Sequence, residues 1–472
     1  MTSVSTFSKI TSADLKYFES IVGETNCLVD IATLNAYSSD HTEDFVFPPQ
    51  VVLKPNSTGE VSKILTYCND RFIPVTARGA GTGLSGGSLP VFGGVGLSME
   101  RFNQILDIDT VNLQATVEPG VINQVFQEAV QAKGLYYPPD PASKGSCMLG
   151  GNIAHGSGGP KAVKYGVTKD YVLNLEVVLA NGSVFWTGAN VLKNSTGYNL
   201  TQLIVGSEGT LAIVTKIVFK LIPLPANTIV LLVPFPSPEQ ACATVPLVFE
   251  AGIIPSGMEF MERDALEFAK QYTGEEFPKL EASTQAHLLI ELDGDDLDKM
   301  MVDAERVGQI MLENGAQDVL FADNEMQKEK LWKLRRKVGE AVKSRTVYKE
   351  EDTVVPRASL PKLLKGVKAI GAKYGFQSIC YGHAGDGNLH VNIVKGNLSD
   401  EKWKNGLEPG IREIFELCVS LGGTLSGEHG IGYVQKKYLP IALTETSIEI
   451  QKSIKKAFDP NGILNPGKIF IQ

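Results

Sequence analysis

The chain has few cysteines and no long apolar run. Its six cysteines, Cys27, Cys68, Cys147, Cys242, Cys380 and Cys418, are scattered over 472 residues with no CxxC pair. That spacing excludes a disulfide scaffold and a thiolate metal cluster, and fits reduced thiols. No stretch of about 18 apolar residues occurs, so no transmembrane segment is expected, and residues 1–10 hold no apolar signal core. The expected location is the cytoplasm or its inner-membrane face. Basic charge is also in deficit, with 44 Lys and Arg against 53 Asp and Glu and a net charge of -9. This argues against nucleic acid or an anionic membrane as the main partner and leaves small-molecule chemistry. Histidine is rare too, at six, so any clustering of histidines carries information.

What is plentiful is glycine. In Pro74-Val-Thr-Ala-Arg-Gly-Ala-Gly-Thr-Gly-Leu-Ser-Gly-Gly-Ser88, the glycines Gly79, Gly81, Gly83, Gly86 and Gly87 fall close together. Such a loop exposes successive N–H groups that can converge on a pyrophosphate, helped by the hydroxyls of Thr82, Ser85 and Ser88. A Walker loop would end in Gly-Lys-Ser/Thr, which is missing, and a Rossmann fingerprint would open a long helix where this chain continues as turn and strand. ATP and NAD are therefore disfavoured. A second glycine-rich run, 137–160, is too rich in Pro, Gly and small polar residues to form regular structure over its length, and a loop of that size usually binds something. Its small residues Gly150, Gly151, Ala154, Gly156, Gly158 and Gly159 suit the passage of backbone over a flat ring, with Ser146, Asn152 and Ser157 at its polar edge.

At this length two or three domains are expected. The 58–69 segment reads as a helix with Val61, Ile64, Leu65 and Cys68 on one face, and Ser12 as the cap of an earlier one. Strands are expected at 72–76, 115–120 and 173–180, the last turning at Asn181-Gly182, with a further strand pair over 203–218. A boundary falls at 223–225. Beyond it, strands at 229–234 and 287–292 alternate with charged helices at 238–252, 297–314 and 325–344, the pattern of an α+β domain.

Three of the six histidines lie in two late glycine-rich motifs, Tyr381-Gly-His-Ala-Gly-Asp-Gly-Asn-Leu-His-Val-Asn-Ile393 and Leu425-Ser-Gly-Glu-His-Gly-Ile-Gly432. With Asp386-Gly387 as a two-residue turn, His383 would pair with His390 at about 5 Å between Cβ atoms, and Asn392 would share their face. Glu428 would add a carboxylate and His429 a base; two imidazoles and a carboxylate suit Zn, Mn or Fe(II). His41 and His287 read as structural. His155, inside the ring-binding loop, reads equally as a cofactor contact or an ordinary loop histidine.

These motifs resemble those of the FAD-linked D-2-hydroxyacid dehydrogenases of the vanillyl-alcohol oxidase and p-cresol methylhydroxylase (PCMH) superfamily. The matching stretches are Arg78-Gly-Ala-Gly-Thr-Gly-Leu-Ser-Gly-Gly87, Pro139-Asp-Pro-Ala142, Gly150-Gly-Asn152, Gly158-Gly-Pro160, Gly206-Ser-Glu-Gly-Thr210, Gly382-His-Ala-Gly-Asp-Gly-Asn-Leu-His390, Ser426-Gly-Glu-His-Gly430 and Asn465-Pro-Gly-Lys468. The resemblance implies an α+β fold with a two-subdomain PCMH-type FAD domain over 1–223, a ferredoxin-like cap over 224–425, and a segment over 426–472 that returns to the flavin. It implies FAD contacts from Arg78, Gly79, Ala80, Gly81, Thr82, Gly83, Ser85, Gly86, Pro139, Asp140, Ser146, Gly150, Gly151, Asn152, Ala154, Gly158, Gly159, Glu208, Gly209, Ile213 and Asn465. The FAD would be non-covalent, because the 78–88 loop lacks the histidine of flavin-tethering relatives. A divalent ion, Zn or Mn, is implied at His383, His390 and Glu428, with His429 as base and Asn392 beside it. Arg335 and Lys349 would hold the substrate carboxylate; the bland reading of Arg335 is a solvated helix face. The implied reaction takes hydride from C2 of a D-2-hydroxyacid, D-lactate, glycolate or D-2-hydroxyglutarate, to FAD. Electrons would pass on to a quinone, cytochrome, electron-transfer flavoprotein or iron–sulfur subunit, and a homodimer is compatible with this. The competing readings are an oxidase that uses O2 directly and a flavin-carrying electron-transfer subunit without its own dehydrogenase activity.

Overall fold

Three sheets position everything else in the computed structural model, which describes residues 7–275, 278, 281–322 and 324–471. The first holds β1 (Cys27–Leu28), β2 (Val51–Leu53), β3 (Val75–Arg78) and β4 (Val95–Ser98) in the order β1-β2-β4-β3, with β4 parallel to both β2 and β3. Parallel strands are covered on both faces, which is why Val51, Val52, Leu53, Val75, Val95 and Leu97 are all fully buried. The helix Thr58–Arg71 covers one face with Val61, Ile64, Leu65 and Cys68, the expected stripe, and Ser57 caps it by accepting the Glu60 N–H. Its far end corrects the expected 72–76 strand. Phe72 takes the left-handed conformation (φ 53°) as the helix C-cap and is exposed, so the strand begins only at Val75. The cap of the first helix, Ser12–Val22, is likewise Thr11 rather than Ser12.

The second sheet contains β5 (Ile105–Asp109), β6 (Gln114–Val117), β8 (Val172–Val178), β9 (Val184–Trp186) and β10 (Ile213–Lys220) in the antiparallel order β5-β6-β10-β8-β9, while β7 (Leu135–Tyr136) pairs separately with β11 (Ile222–Pro223). Asn181-Gly182 forms the expected turn between β8 and β9. A Cβ at Gly182 (φ +83°) would stand 1.9 Å from Thr66 Oγ1, so this turn requires glycine. The expected strand pair at 203–218 is instead the helix Leu200–Ile204, a turn, and β10. Asn199 caps the helix, and positive φ at Gly206, Glu208 and Gly209 interrupts any strand. Regular structure also appears inside the 137–160 run, as the helix Leu149–His155 ending on left-handed Gly156. Glycine lets this helix lie against the chain, because a Cβ at Gly150 would meet Pro119 Cβ at 2.6 Å.

The third sheet comprises β12 (Asn227–Phe235), β13 (Gly257–Glu262), β14 (Ala286–Gly294), β15 (Leu320–Phe321), β16 (Tyr348–Val354), β17 (Gln377–His383) and β18 (Asn388–Val394), ordered β15-β12-β14-β13-β17-β18-β16 and antiparallel throughout. With the helices Pro238–Glu250 and Leu297–Glu313, the strands β15-β12-β14-β13 make a ferredoxin-like unit, which the other three strands widen. These two helices, Leu360–Tyr374 and Glu408–Ser420 pack on one face. The opposite face packs against Arg263–Thr273, Glu325–Arg336 and Val338–Arg345; the helix expected over 325–344 is thus two, broken at Lys337. The chain then returns to the first sheet: Val75 donates to the Ile463 carbonyl and accepts from the Asn465 N–H. Among the described residues no helix is long and apolar enough to cross a membrane.

His287 lies inside the third sheet, flanked by Pro234 and Met261, and burial pulls its imidazole down from 6.5 to about 4. The unfolded chain therefore binds this proton more readily, and the site loses stability as pH falls from about 6.5 to about 4, by on the order of 3 kcal/mol. His287→Phe should flatten that part of the acid loss, measured as urea midpoints at pH 7 and pH 4.5. An unchanged acid slope in the variant would refute the assignment.

Candidate functional site

The β17–β18 hairpin presents the histidines, but not in the expected register. Tyr381 faces His390 and His383 faces Asn388, so the turn spans the four residues 384–387 rather than Asp386-Gly387 alone. Gly387 (φ +87°) donates to the Ala384 carbonyl, and Asp386 Oδ1 accepts the Asn388 N–H, which closes the wider turn. A shift of two residues preserves the sheet face. His383 and His390 remain neighbours, now diagonal, with ring centroids 5.4 Å apart.

Glu428 completes the group. Its Oε1 lies 3.2 Å from His383 Nε2 and 3.7 Å from His390 Nε2. The rear nitrogens face further carboxylates, and among the described residues only that of His383 is hydrogen-bonded to one. Glu259 on β13 stands 2.9 Å from His383 Nδ1, and Glu350 and Asp352 on β16 stand 3.4 and 3.7 Å from His390 Nδ1. Two imidazoles with Nε2 turned inward, one carboxylate and an outer ring of carboxylates form a donor set that fits a divalent ion. Burial depresses His390 to about 3 and so keeps it neutral, as a ligand must be. Burial also pulls on His383, but Glu259 and Glu428 outweigh it and raise it well above an ordinary histidine, to a proton that a cation would replace.

His429 stacks on His390 with centroids 5.2 Å apart and planes 16° from parallel. Burial would lower its pKa, but the carboxylates of Asp352, Glu350 and Glu428 leave it raised. Its backbone is fixed at both ends: the N–H donates to Asp352 Oδ2 at 2.9 Å, and the carbonyl accepts from Ser85 Oγ at 2.9 Å. Asp352 also accepts from Glu428 N and Ser426 Oγ, and through Oδ1 from Asn388 Nδ2. Burial pushes its carboxyl up, yet the two histidines and the N–H groups hold it well below the usual carboxylate range.

Arg335 is buried, not on a solvated face. Its Nη2 lies 2.6 Å from Glu259 Oε2, its guanidinium stacks on Tyr381, and it lines the cavity in front of the histidines. Lys349 requires correction. β16 alternates, so Glu350 and Asp352 face the histidines while Lys349 points to the opposite face, where its ammonium lies 5.4 Å from the Trp403 ring. Asn392 shares the face of His390 but is fully buried, opposite Glu350 and Ile379, and does not line the cavity.

The cavity, of about 360 Å³, runs from this cluster along both glycine-rich loops. Arg78, Gly79, Ala80, Gly81, Thr82, Gly83, Ser146, Gly150, Gly151, Asn152, Ala154, Glu208, Gly209 and Ile213 line it. Buried Arg78 Nη1 and His155 Nδ1 have no hydrogen-bond partner among the described residues, as a wall built for a polar ligand such as FAD would have it. The other expected contacts stand behind that wall. Ser85 supports His429, and Gly86 packs on Leu89 and Tyr433. Pro139 is buried with its carbonyl taken by Asn123 and Gln127, and Asp140 binds Arg336 and Lys144. Gly158 and Gly159 allow close passage past Glu428 and the Asp140 carbonyl. Asn465 donates to the carbonyls of Gly87 and Glu208.

Sequence reasoning missed Glu259, Glu350 and Asp352. Glu259 carried a signal, a carboxylate within the otherwise apolar run Met258-Glu-Phe-Met261, where an isolated charge demands a buried partner.

Comparison with known proteins agrees with this geometry. The family described as "FAD binding domain" matches residues 49–188, and "FAD linked oxidases, C-terminal domain" matches residues 224–469. The chain is 42% identical to glycolate oxidase subunit GlcD of Bacillus subtilis over 92% of each chain. It is 38% identical to D-lactate dehydrogenase of Anaerostipes hadrus, over 89% of each. With D-2-hydroxyglutarate dehydrogenase of Stutzerimonas stutzeri it shares 33% identity over 96% of this chain and 97% of that one. In fold it resembles p-cresol methylhydroxylase with substrate bound, at a TM-score of 0.79 and 19% identity over 98% of both chains.

If Glu259 orients His383 for a cation, Glu259→Gln should keep FAD and weaken divalent-ion affinity by about 10- to 100-fold, the usual effect of losing such a carboxylate. Competition against a chelator reads this directly. Wild-type affinity in the variant would show that Glu259 serves only Arg335.

Proposed function

The chain belongs to the FAD-linked oxidase family that includes D-lactate dehydrogenases, glycolate oxidase subunits and D-2-hydroxyglutarate dehydrogenases, and we propose on that footing that it oxidises a D-2-hydroxyacid to the 2-oxoacid. D-lactate is the foremost substrate of this reading, with glycolate and D-2-hydroxyglutarate as the alternatives. The observation that supports it most is the opening of the His383, His390 and Glu428 cluster into the same cavity as both glycine-rich loops, with His429 and Arg335 in its wall. When bound, FAD would supply the two-electron acceptor, and a divalent ion, Zn or Mn in this reading, would supply a Lewis acid at the substrate hydroxyl.

The chain's own groups do the rest. Arg335 binds the substrate carboxylate through its guanidinium, whose buried Nε has no hydrogen-bond partner among the described residues. His429 accepts the proton of the C2 hydroxyl. Its attachment to Ser85 ties this base to the glycine loop, so proton acceptor and FAD cradle hold one relative position. Electrons then leave to a quinone, cytochrome, electron-transfer flavoprotein or iron–sulfur subunit. The same reading divides the chain into an FAD unit (1–223), a cap (224–425) and a returning segment (426–472). Separate hydrophobic cores on either side of residue 224 and the seating of Leu464 beside Val75 support that division.

Anaerobic mixing with D-lactate should bleach the flavin, and His429→Asn should slow that bleaching by about 100-fold or more while FAD and metal content stay as in wild type. Glu428→Gln should lose the metal and keep FAD. Metal loss in His429→Asn with wild-type bleaching in Glu428→Gln would exchange the two roles; no bleaching by any D-2-hydroxyacid would end the reading.

A further inference from the structure

The ring of His155 stands where both glycine-rich loops meet the returning segment. His155 is the last residue of the helix Leu149–His155 and lines the cavity. Three glycines leave the space its ring occupies. A Cβ on Gly83 would stand 3.4 Å from Nε2, one on Gly87 would stand 3.2 Å from Nε2 and 3.0 Å from Cε1, and one on Gly430 would stand 2.9 Å from Nδ1. Side chains at these positions would crowd the imidazole, so the three segments are shaped around it.

The two nitrogens face different surroundings. Gly83 and Gly87 belong to the cavity lining, which puts Nε2 on the cavity side. Nδ1 is turned to Gly430, and Glu208 Oε1 stands 2.8 Å from the same Cβ position while accepting the Ile431 N–H. A carboxylate on that side favours the proton on Nδ1 and leaves Nε2 an acceptor open to the cavity. Nδ1 is buried without a partner, and Nε2 likewise makes no hydrogen bond among the described residues. An imidazole set into a shaped niche with neither nitrogen paired gives up hydrogen bonds that water would supply, and a ligand in the cavity would restore one of them.

We propose that His155 is a cofactor-binding residue of this chain, its Nε2 accepting a hydrogen bond from a hydroxyl or N–H group of FAD where the two glycine-rich loops meet. The contact lies outside those that the family resemblance implies, and it rests on the FAD-dependent reading above. Because Gly430 follows His429, the same ring ties the bound cofactor to the turn that carries the proton acceptor.

The test is the FAD dissociation constant of wild type, His155→Asn and His155→Gln, read from free FAD after equilibrium dilution and filtration of each holoenzyme, with urea midpoints measured beside it. An Asn side chain reproduces Nδ1 and stops short of Nε2, whereas Gln reaches the position of Nε2. His155→Asn should therefore bind FAD about tenfold more weakly, and His155→Gln should stay within about threefold of wild type, at unchanged urea midpoints. Wild-type affinity in His155→Asn overturns the proposal. Equal losses in both variants overturn it too and leave the ring a space-filling role, as does a loss of affinity that only follows a fall in the urea midpoint. A wild-type protein that holds no FAD would instead refute the broader reading, so the two failures are distinct.

Discussion

The buried carboxylate of Asp352 holds the site together. From one side chain it binds the β17–β18 hairpin through Asn388 and the 426–429 turn through Ser426, Glu428 and His429. The hydrogen-bonded partners lie 36 and 74 to 77 residues away in sequence. Without that junction, the histidines of the hairpin and Glu428 of the turn would have no fixed relation. A charge in this position is tolerated because four donors reach it, three at Oδ2 and one at Oδ1. Removing one partner of such a buried set typically costs about 3–5 kcal/mol, more than one surface ion pair returns. Ser426, Glu428 and His429 are thus arranged around one buried carboxylate.

A second set of polar contacts places the cap over the glycine loops. The Lys161 ammonium pairs with Glu291, whose other oxygen accepts Trp332 Nε1–H at 2.6 Å, and Asp293 binds Lys164 and Tyr165. Asp140 belongs here as well: through Arg336 it anchors the helix that carries Arg335, one residue away. On the other side, Glu208 accepts the N–H groups of Ile431 and Gly432 and so attaches the turn after His429 to the cavity floor. Cap and returning segment are therefore both fastened by carboxylates of, or partners on, the glycine-loop unit, and the cavity is the space left between them.

Much of this was legible in the sequence, for reasons that also mark where legibility ends. The helix over 58–71 follows from its 3.6-residue period, and the glycine loops from their inability to do anything else. The histidine pair survived an error in register because a slip of two residues leaves a strand's faces unchanged. β16 had no such protection. Tyr348-Lys-Glu-Glu-Asp-Thr-Val354 has polar residues on both faces, so its phase is set by neighbours in the sheet and cannot be read locally. That phase turns Lys349, which the family resemblance implies as a substrate contact, away from the cavity and turns Glu350 toward it. Asp140 and Asn465, expected at the FAD, are not in the cavity lining, for a different reason. Their motifs are tied to the site, but as supports for the groups that form it, and a motif does not distinguish the two.

The surroundings of the three imidazoles differ. His383 is fastened at Nδ1 by Glu259, and His390 has its Nδ1 turned to Glu350 and Asp352, which aims each Nε2 at Glu428. An imidazole held at one nitrogen by a carboxylate is a better electron donor at the other and cannot rotate away, both of which suit a ligand. The His429 ring makes no hydrogen bond among the described residues; only its backbone is fixed, and its orientation comes from stacking on His390. A proton acceptor needs a ring nitrogen open to the substrate, and His429 lines the cavity. In the proposed reading the proton acceptor is thus the ring oriented by its stacking on His390.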